Sequence, residues 1–380
     1  MSDILENKLV CDSQISFSIS LLKQLFTNDT KNESFIFSPI SLSMSLAMVF
    51  AGAKNQTKEE LSRLLIGGED IKYFHNYFAI FFQHVKERLT REEVKLYLAN
   101  SIYLAEDLTL ENEFMEVIGE YYNGQINQVD FKDSAVVADE INNFVEQITN
   151  HVIKNMVSSD SFNENTRLVL INAIYFKASF DNIFDEVDTY ESDFYMTSDK
   201  TKKVEMMHKT DRYFYNENDQ FQILIIPYNY YSQYFYILLP KENTELNEAL
   251  TTFNADTFVS LSEEASENKV QVSLPKFKID SKFEMKDVLK CLGMSNLFSD
   301  KADFSGISKN EGLQISSIHQ KASFEVNEKG VEAAAATASF FGGCAPSLPQ
   351  KEFIFCANRP FMFFIGKPEG KYILFSGIYK

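Results

Sequence analysis

Apolar residues recur at two spacings along this chain, helical in the first third and strand-like later. Ile15, Ile19, Leu22 and Phe26 share one helical face, and Asp12 and Ser13 are expected to cap its start. The stretch FSPISLSMSLAMVFAG, residues 37–52, predicts a second helix with Ser38 as N-cap, Pro39 at the first helical position and Gly52 as a stop. Thr57-Lys58-Glu59-Glu60 matches a capping box, so a short third helix is predicted to open there and end at Gly67-Gly68. Val137, Ile141, Phe144 and Ile148 make a further amphipathic stripe. Four such helices need a flat surface to pack on.

Long strand-like runs supply that surface. LVLINAIYF, Leu168 to Phe176, is almost continuously apolar, as expected of a strand covered on both faces. Gln222–Ile226 and Tyr234–Leu239 each run into a proline, Pro227 and Pro240, which ends the pairing. Val270, Val272, Leu274 and Ile279 alternate around Pro275. Three apolar runs follow, from Phe353, Pro360 and Tyr372; only Lys367-Pro368-Glu369-Gly370 separates the last two, which predicts a hairpin. With no repeat and no linker rich in Gly, Ser or Pro, the simplest architecture is one α+β domain over residues 1–380.

Composition narrows the function classes. The fractions, 45% apolar and 24% charged, are those of a globular chain, and a formal charge of −18 argues against a general nucleic-acid or anionic-membrane binder. No apolar run is long enough to span a membrane, and MSDILENKLVCDSQ lacks the basic start and apolar core of a signal peptide, so a leaderless monomer is expected, cytoplasmic or exported by an unconventional route. Cys11, Cys291, Cys344 and Cys356 show neither metal spacing nor a disulfide framework, and no cofactor is called for. Glycosylation-type sequons at Asn28, Asn32 and Asn55 carry little weight without a leader. Hydrolase, metalloprotease and phosphate-loop signatures are absent, and nothing in the sequence brings Cys344 to His319 as a nucleophile and base; His319 reads as a hydrogen-bonded core histidine on an alternating strand.

One stretch resists this reading. In GVEAAAATASFFGGCAPSLP, from Gly330, the alanines favour a helix, yet breakers and a thiol follow at once and read as an exposed loop.

Taken in order, the motifs resemble the serpin family over nearly the whole chain. They are Phe37-Ser38-Pro39-Ile40-Ser41, Leu170-Ile171-Asn172-Ala173-Ile174-Tyr175-Phe176-Lys177, Ile226-Pro227-Tyr228, Leu274-Pro275-Lys276-Phe277, Ala302-Asp303-Phe304-Ser305-Gly306, Val326-Asn327-Glu328-Lys329-Gly330 with its alanines, and Asn358-Arg359-Pro360-Phe361. The resemblance implies three β-sheets, about nine helices and an exposed reactive-centre loop over residues 330–353. It implies a suicide substrate: a serine protease acylates itself on the loop, whose N-terminal arm then enters the main sheet and traps the acyl-enzyme. The chain is then an inhibitor consumed by its target, not an enzyme.

Residue by residue, the resemblance implies a hinge of Glu328, Gly330, Val331, Ala333, Ala334, Ala335, Ala336 and Thr337. Val331, Ala333 and Ala335 share the face expected to turn inward, where bulk would clash. Val331 stands where relatives often carry Thr or Ser. The family spacing places Cys344 sixteen residues after Glu328 and makes Cys344-Ala345 the reactive bond, with Phe340, Phe341 and Leu348 as nearby substitutes. A small or apolar residue there suits a chymotrypsin-like or elastase-like pocket. Ser38, Ser41, Asn172 and His319 match a polar shutter cluster beneath the sheet opening, and Lys276 with Glu328 a pair at its top. The alternatives are a non-inhibitory binding or chaperone-like member and a cross-class inhibitor of a cysteine protease. Phe144 and Phe180 stand where relatives usually carry Trp, so one local polar contact is expected to be missing.

Overall fold

The computed structural model describes residues 8–88, 90–91, 94–122, 125–197, 199–242, 244–310, 312–329, 352–367 and 372–380. Helices dominate the first part: α1 (Lys8–Asn28), then a short strand β1 (Phe35–Phe37), α2 (Pro39–Gly52), α3 (Asn55–Ile66) and α4 (Ile71–Arg88). Strands β2 (Thr90–Arg91) and β3 (Val94–Ala105), α5 (Asn112–Tyr121), β4 (Gln125–Val129), α6 (Ser134–Ile148) and β5 (Leu168–Ala178) follow. Next come β6 (Thr189–Thr197), β7 (Lys200–Glu217), β8 (Phe221–Pro227), β9 (Tyr234–Pro240), α7 (Leu246–Thr252) and α8 (Ala255–Glu263). The described chain closes with β10 (Ser266–Pro275), β11 (Phe277–Glu284), α9 (Lys286–Cys291), β12 (Ile315–Val326), β13 (Glu352–Cys356), β14 (Phe361–Gly366) and β15 (Ile373–Tyr379).

The main sheet runs β11-β12-β5-β3, with β2 and β4 both paired to β3. The other nine strands are hydrogen-bonded in the order β1-β15-β14-β9-β8-β7-β10-β13, with β6 also on β7. Strand β7 meets β8 only through Phe214–Glu217. That narrow junction makes the nine strands two sheets meeting at a corner, one from β1 to β8 and one around β7, so three sheets and nine helices are present among the described residues.

Several boundaries follow from local chemistry. Ser38 caps α2 by accepting from Ser41 N at 3.3 Å, and Pro39, which has no N–H to orphan, begins the helix. Helix α2 is buried on nearly every side, so it has no polar stripe and lies between sheets. Gly52 ends it because space does: a Cβ there would lie 2.8 Å from Ile307 N. Gly67 closes α3 in the left-handed region at φ 63°.

Two expected caps are corrected. Asp12 and Ser13 lie inside α1, which is already helical at Lys8. Thr57 lies inside α3, because its hydroxyl accepts from Asp303 N at 2.9 Å and docks the helix on a neighbouring loop instead of capping it. In α6, Val137 and Ile141 are buried as expected, whereas Ile148 is exposed and Val145 fills the core.

Candidate functional site: the seam between β5 and β12

Strands β5 and β12 are hydrogen-bonded directly to each other in parallel, Ser317–Ser323 opposite Val169–Tyr175. Their outer neighbours β3 and β11 pair antiparallel to them. Residue 330, where the expected loop begins, follows closely on the end of β12 at Val326.

Beneath the seam lies a polar cluster in an otherwise apolar interior. Helix α2 delivers Ser41 and Ser45, one turn apart on a single face. Strands β3 and β5 deliver Asn100 and Asn172, which stand directly opposite each other in the ladder. Ser41 Oγ donates to Asn100 Oδ1 at 2.9 Å, Asn100 Nδ2 donates to Ser41 O at 2.7 Å, and Ser45 Oγ donates to Asn172 Oδ1. Asn172 Nδ2 reaches across the seam to the His319 carbonyl at 3.4 Å. Gln320 makes a two-way link with the Ser38 backbone, accepting from its N–H at 3.0 Å and donating to its carbonyl at 2.8 Å. All of these side chains are buried.

Of the four sequence-selected residues, Ser38, Ser41 and Asn172 therefore come together, and His319 joins through its backbone. The His319 ring is buried against the edge of Phe162, and its Nε2 has no hydrogen-bond partner among the described residues. The expected hydrogen-bonded core histidine is thus corrected at Nε2, because the ring faces an aromatic wall. Burial, reinforced by Lys282, pushes its pKa down to about 4, so the ring is neutral near pH 7. Asn100, Ser45 and Gln320 were not selected from sequence. Their signal was there: Ser41 and Ser45 sit four apart in a helix with no exposed face, which obliges each hydroxyl to find a buried partner.

At the end of the seam Lys276 Nζ lies 3.2 Å from Glu328 Oε2. Burial works to raise the Glu328 pKa, but its own backbone N–H, the Thr189 hydroxyl and Lys276 outweigh it and hold the carboxyl below its usual value. The neighbouring backbone is pinned as well, since Phe184 N donates to Glu328 O at 2.8 Å and Phe180 N to Lys329 O at 3.0 Å. Phe180 is buried and stacks on Tyr228 with ring centroids 5.1 Å apart. The Tyr228 hydroxyl has no hydrogen-bond partner among the described residues.

Gly330, Val331, Ala333, Ala334, Ala335, Ala336, Thr337, Cys344 and Ala345 lie outside the described residues, as do Phe340, Phe341 and Leu348. No disulfide joins Cys11, Cys291 and Cys356. No group of acidic, His or Cys side chains suited to a metal is found among the described residues, and none of their helices is long and apolar enough to cross a membrane.

This closed parallel seam, backed by a polar cluster, points to a class of protein. The family model described as serpin (serine protease inhibitor) matches residues 12–379, and the chain belongs to the serpin family. Antichymotrypsin-2 of Bombyx mori is 34% identical over 94% of this chain and 95% of its own length. Human Serpin I2 is 32% identical over 97% of this chain and 91% of its own. Among solved structures, the thermophilic serpin Tengpin in its native state has a TM-score of 0.87 at 30% identity, covering 98% of this chain and 94% of that one. Human thyroxine-binding globulin with its ligand has a TM-score of 0.83 at 25% identity, covering 97% of each chain.

Proposed function

We propose that this chain inhibits a serine protease of chymotrypsin-like or elastase-like specificity by covalent trapping, with Cys344-Ala345 as the bond presented. The observation that carries the reading is the direct parallel pairing of β5 with β12. A strand that turns back after β12 runs antiparallel to β12, and hence to β5 as well. Entering between them, it replaces one parallel ladder with two antiparallel ones, the more stable arrangement per residue. About fifteen added residues at roughly 0.5 to 1.5 kcal/mol per backbone bond supply on the order of 10 kcal/mol. That is comparable with the stability of a typical protease, about 5 to 15 kcal/mol, so the closed state must be held kinetically.

In this reading Ser38, Ser41, Asn172 and the His319 backbone, with Asn100, Ser45 and Gln320, latch the lower seam, while Lys276 and Glu328 hold the point where insertion starts. Small side chains at Ala333 and Ala335 support entry into the sheet. The likeness to Antichymotrypsin-2 supports the target class. The likeness to thyroxine-binding globulin favours a second reading, a binding protein whose loop is only cleaved.

Incubation with chymotrypsin-, elastase- and trypsin-like proteases separates the two. The expected result is a complex that survives denaturing electrophoresis with the first two classes, and a released peptide that begins at Ala345. Cleavage in the loop without any such complex sinks the inhibitory reading, and a peptide with another N-terminus moves the bond alone.

A further inference from the structure

A cleft of about 670 Å³ opens away from the seam, between β6, the end of α1, the β9–α7 connection and the start of β14. Its size lies within the range of small-molecule sites, roughly 300 to 1,000 Å³. Phe26, Tyr195, Met196, Leu246 and Pro360 give it apolar and aromatic walls. Two cations also line it, and their bonding differs. Lys380 is spent: its ammonium lies 2.7 Å from Asp29 Oδ2 and over the Phe26 ring. Arg359 is not. It forms no ion pair with any described residue, and its side chain is partly buried.

The fork of Arg359 is only half used. Nε and Nη2 both donate to the Pro240 carbonyl, at 3.1 and 2.7 Å, and Nη1 makes a long contact of 3.4 Å to Asn358 Oδ1. A guanidinium has five N–H donors, so one on Nη1 and one on Nη2 are not used by described residues. That pair matches the two oxygens of a carboxylate, and its strength rises where water is partly excluded. Burial disfavours the charged state of Arg359, the nearby Glu242 carboxylate offsets only part of that cost, and an arriving anion would offset more of it.

We propose that this cleft binds a small amphipathic monocarboxylate, its acid group on Arg359 and its apolar body against Phe26, Tyr195, Met196 and Leu246. Glu242 and Glu245, also in the lining and exposed, select the charge: they repel a second negative group, so phosphates and dicarboxylates are disfavoured and a monoanion or an amino acid-like zwitterion is taken. The site does not depend on protease inhibition and leaves the seam residues untouched.

The chain has no tryptophan, so Asn247→Trp at the exposed rim gives a single fluorescent reporter. Its emission would be titrated with 4-phenylbutyrate and with the matched neutral amide, 4-phenylbutyramide. The acid should bind at least about tenfold more tightly than the amide, and Arg359→Gln in the same background should bring that ratio to near one. Saturation-transfer NMR on the unaltered chain repeats the acid-to-amide comparison without depending on how either variant folds. Equal binding of acid and amide, no binding of either, or an acid preference that survives Arg359→Gln would each overturn the proposal.

Discussion

The two ends of β12 rest on different materials. Near Val326, Phe324 packs among Phe235, Phe277, Phe363 and Phe375, with ring centroids between 5.8 and 6.2 Å apart. Lower down, Gln320 and the His319 carbonyl rest on side-chain amides and hydroxyls from α2, β3 and β5. Aromatic packing gains free energy from area and tolerates small shifts of one face over another. Buried hydrogen bonds are satisfied in one register only, and leaving one open costs the full desolvation of its partner. The first kind of contact holds the layers together by area; the second fixes the register of the two strands across the seam.

Four tests bear on that contrast, beginning with the aromatic end. Phe363→Ala removes a fully buried ring that meets Phe235, Phe277 and Phe324. It should cost about 3 to 5 kcal/mol in urea unfolding, for the intact and the loop-cleaved protein alike. A loss confined to the intact form would contradict a packing role independent of the seam.

The second test is acid. His319 is neutral when folded, with a pKa near 4, against about 6.5 for a free imidazole. The unfolded chain therefore binds the extra proton between those values. The stability that this ring withholds from the protonated state is fully present above pH 6.5 and is lost as pH falls toward 4. His319→Gln should flatten the stability profile in that window by about 3 kcal/mol. His75, also depressed to about 4 by burial, gives a parallel contribution outside the seam, so His75→Gln should leave the rate of seam opening unchanged. Stopped-flow unfolding between pH 4 and 7 reads both, and an identical slope in His319→Gln would remove the ring from the acid response.

Third, Asn172→Ala deprives Ser45 of its acceptor and frees the His319 carbonyl. The closed protein should lose about 2 kcal/mol and take up a synthetic peptide of residues 331–344 faster, measured by native gel shift. An uptake rate equal to the parent would show that the polar cluster is not the latch.

The smallest effect is expected at Lys276. Lys276 is partly open to water, and water can replace it beside the buried Glu328, so Lys276→Ala should cost about 1 kcal/mol. The folded Glu328 carboxyl is held below its usual value, so its contribution is present above an ordinary glutamate pKa and is lost as pH falls through the lowered folded value. Thermal unfolding in low and high salt at pH 3 to 6 checks this, and an unchanged acid limb in Glu328→Gln would refute it.

Much of this arrangement was legible in the residues. Ser38-Pro39, the proline-ended β8 and β9, and the unbroken LVLINAIYF strand each carry a local signal that tertiary packing did not override. Strand β7 was harder, because KTKKVEMMHKTDRYFYNE is so charged that its alternation of exposed and buried positions is visible only once its neighbours are known. The cap at Thr57 failed because a side chain that can cap a helix can equally serve another partner, and Asp303 claimed it, whereas Asp12 was misplaced because α1 begins earlier, at Lys8. In the cluster, Asn100 escaped selection because one amide in a strand reads as an edge position until the opposite strand shows it facing Asn172.

Strand order carries a consequence for how the chain assembles. Phe35–Phe37 pair with Ser376–Ile378, across more than 300 residues of intervening sequence, and β15 lies between β1 and β14. During synthesis both edges must wait for β15, and the segment 330–351 is made before it. For that interval segment 330–351 is present while one of the sheets is still unfinished. Reaching the closed form first is therefore a race among pairings, won by local contacts forming before distant ones.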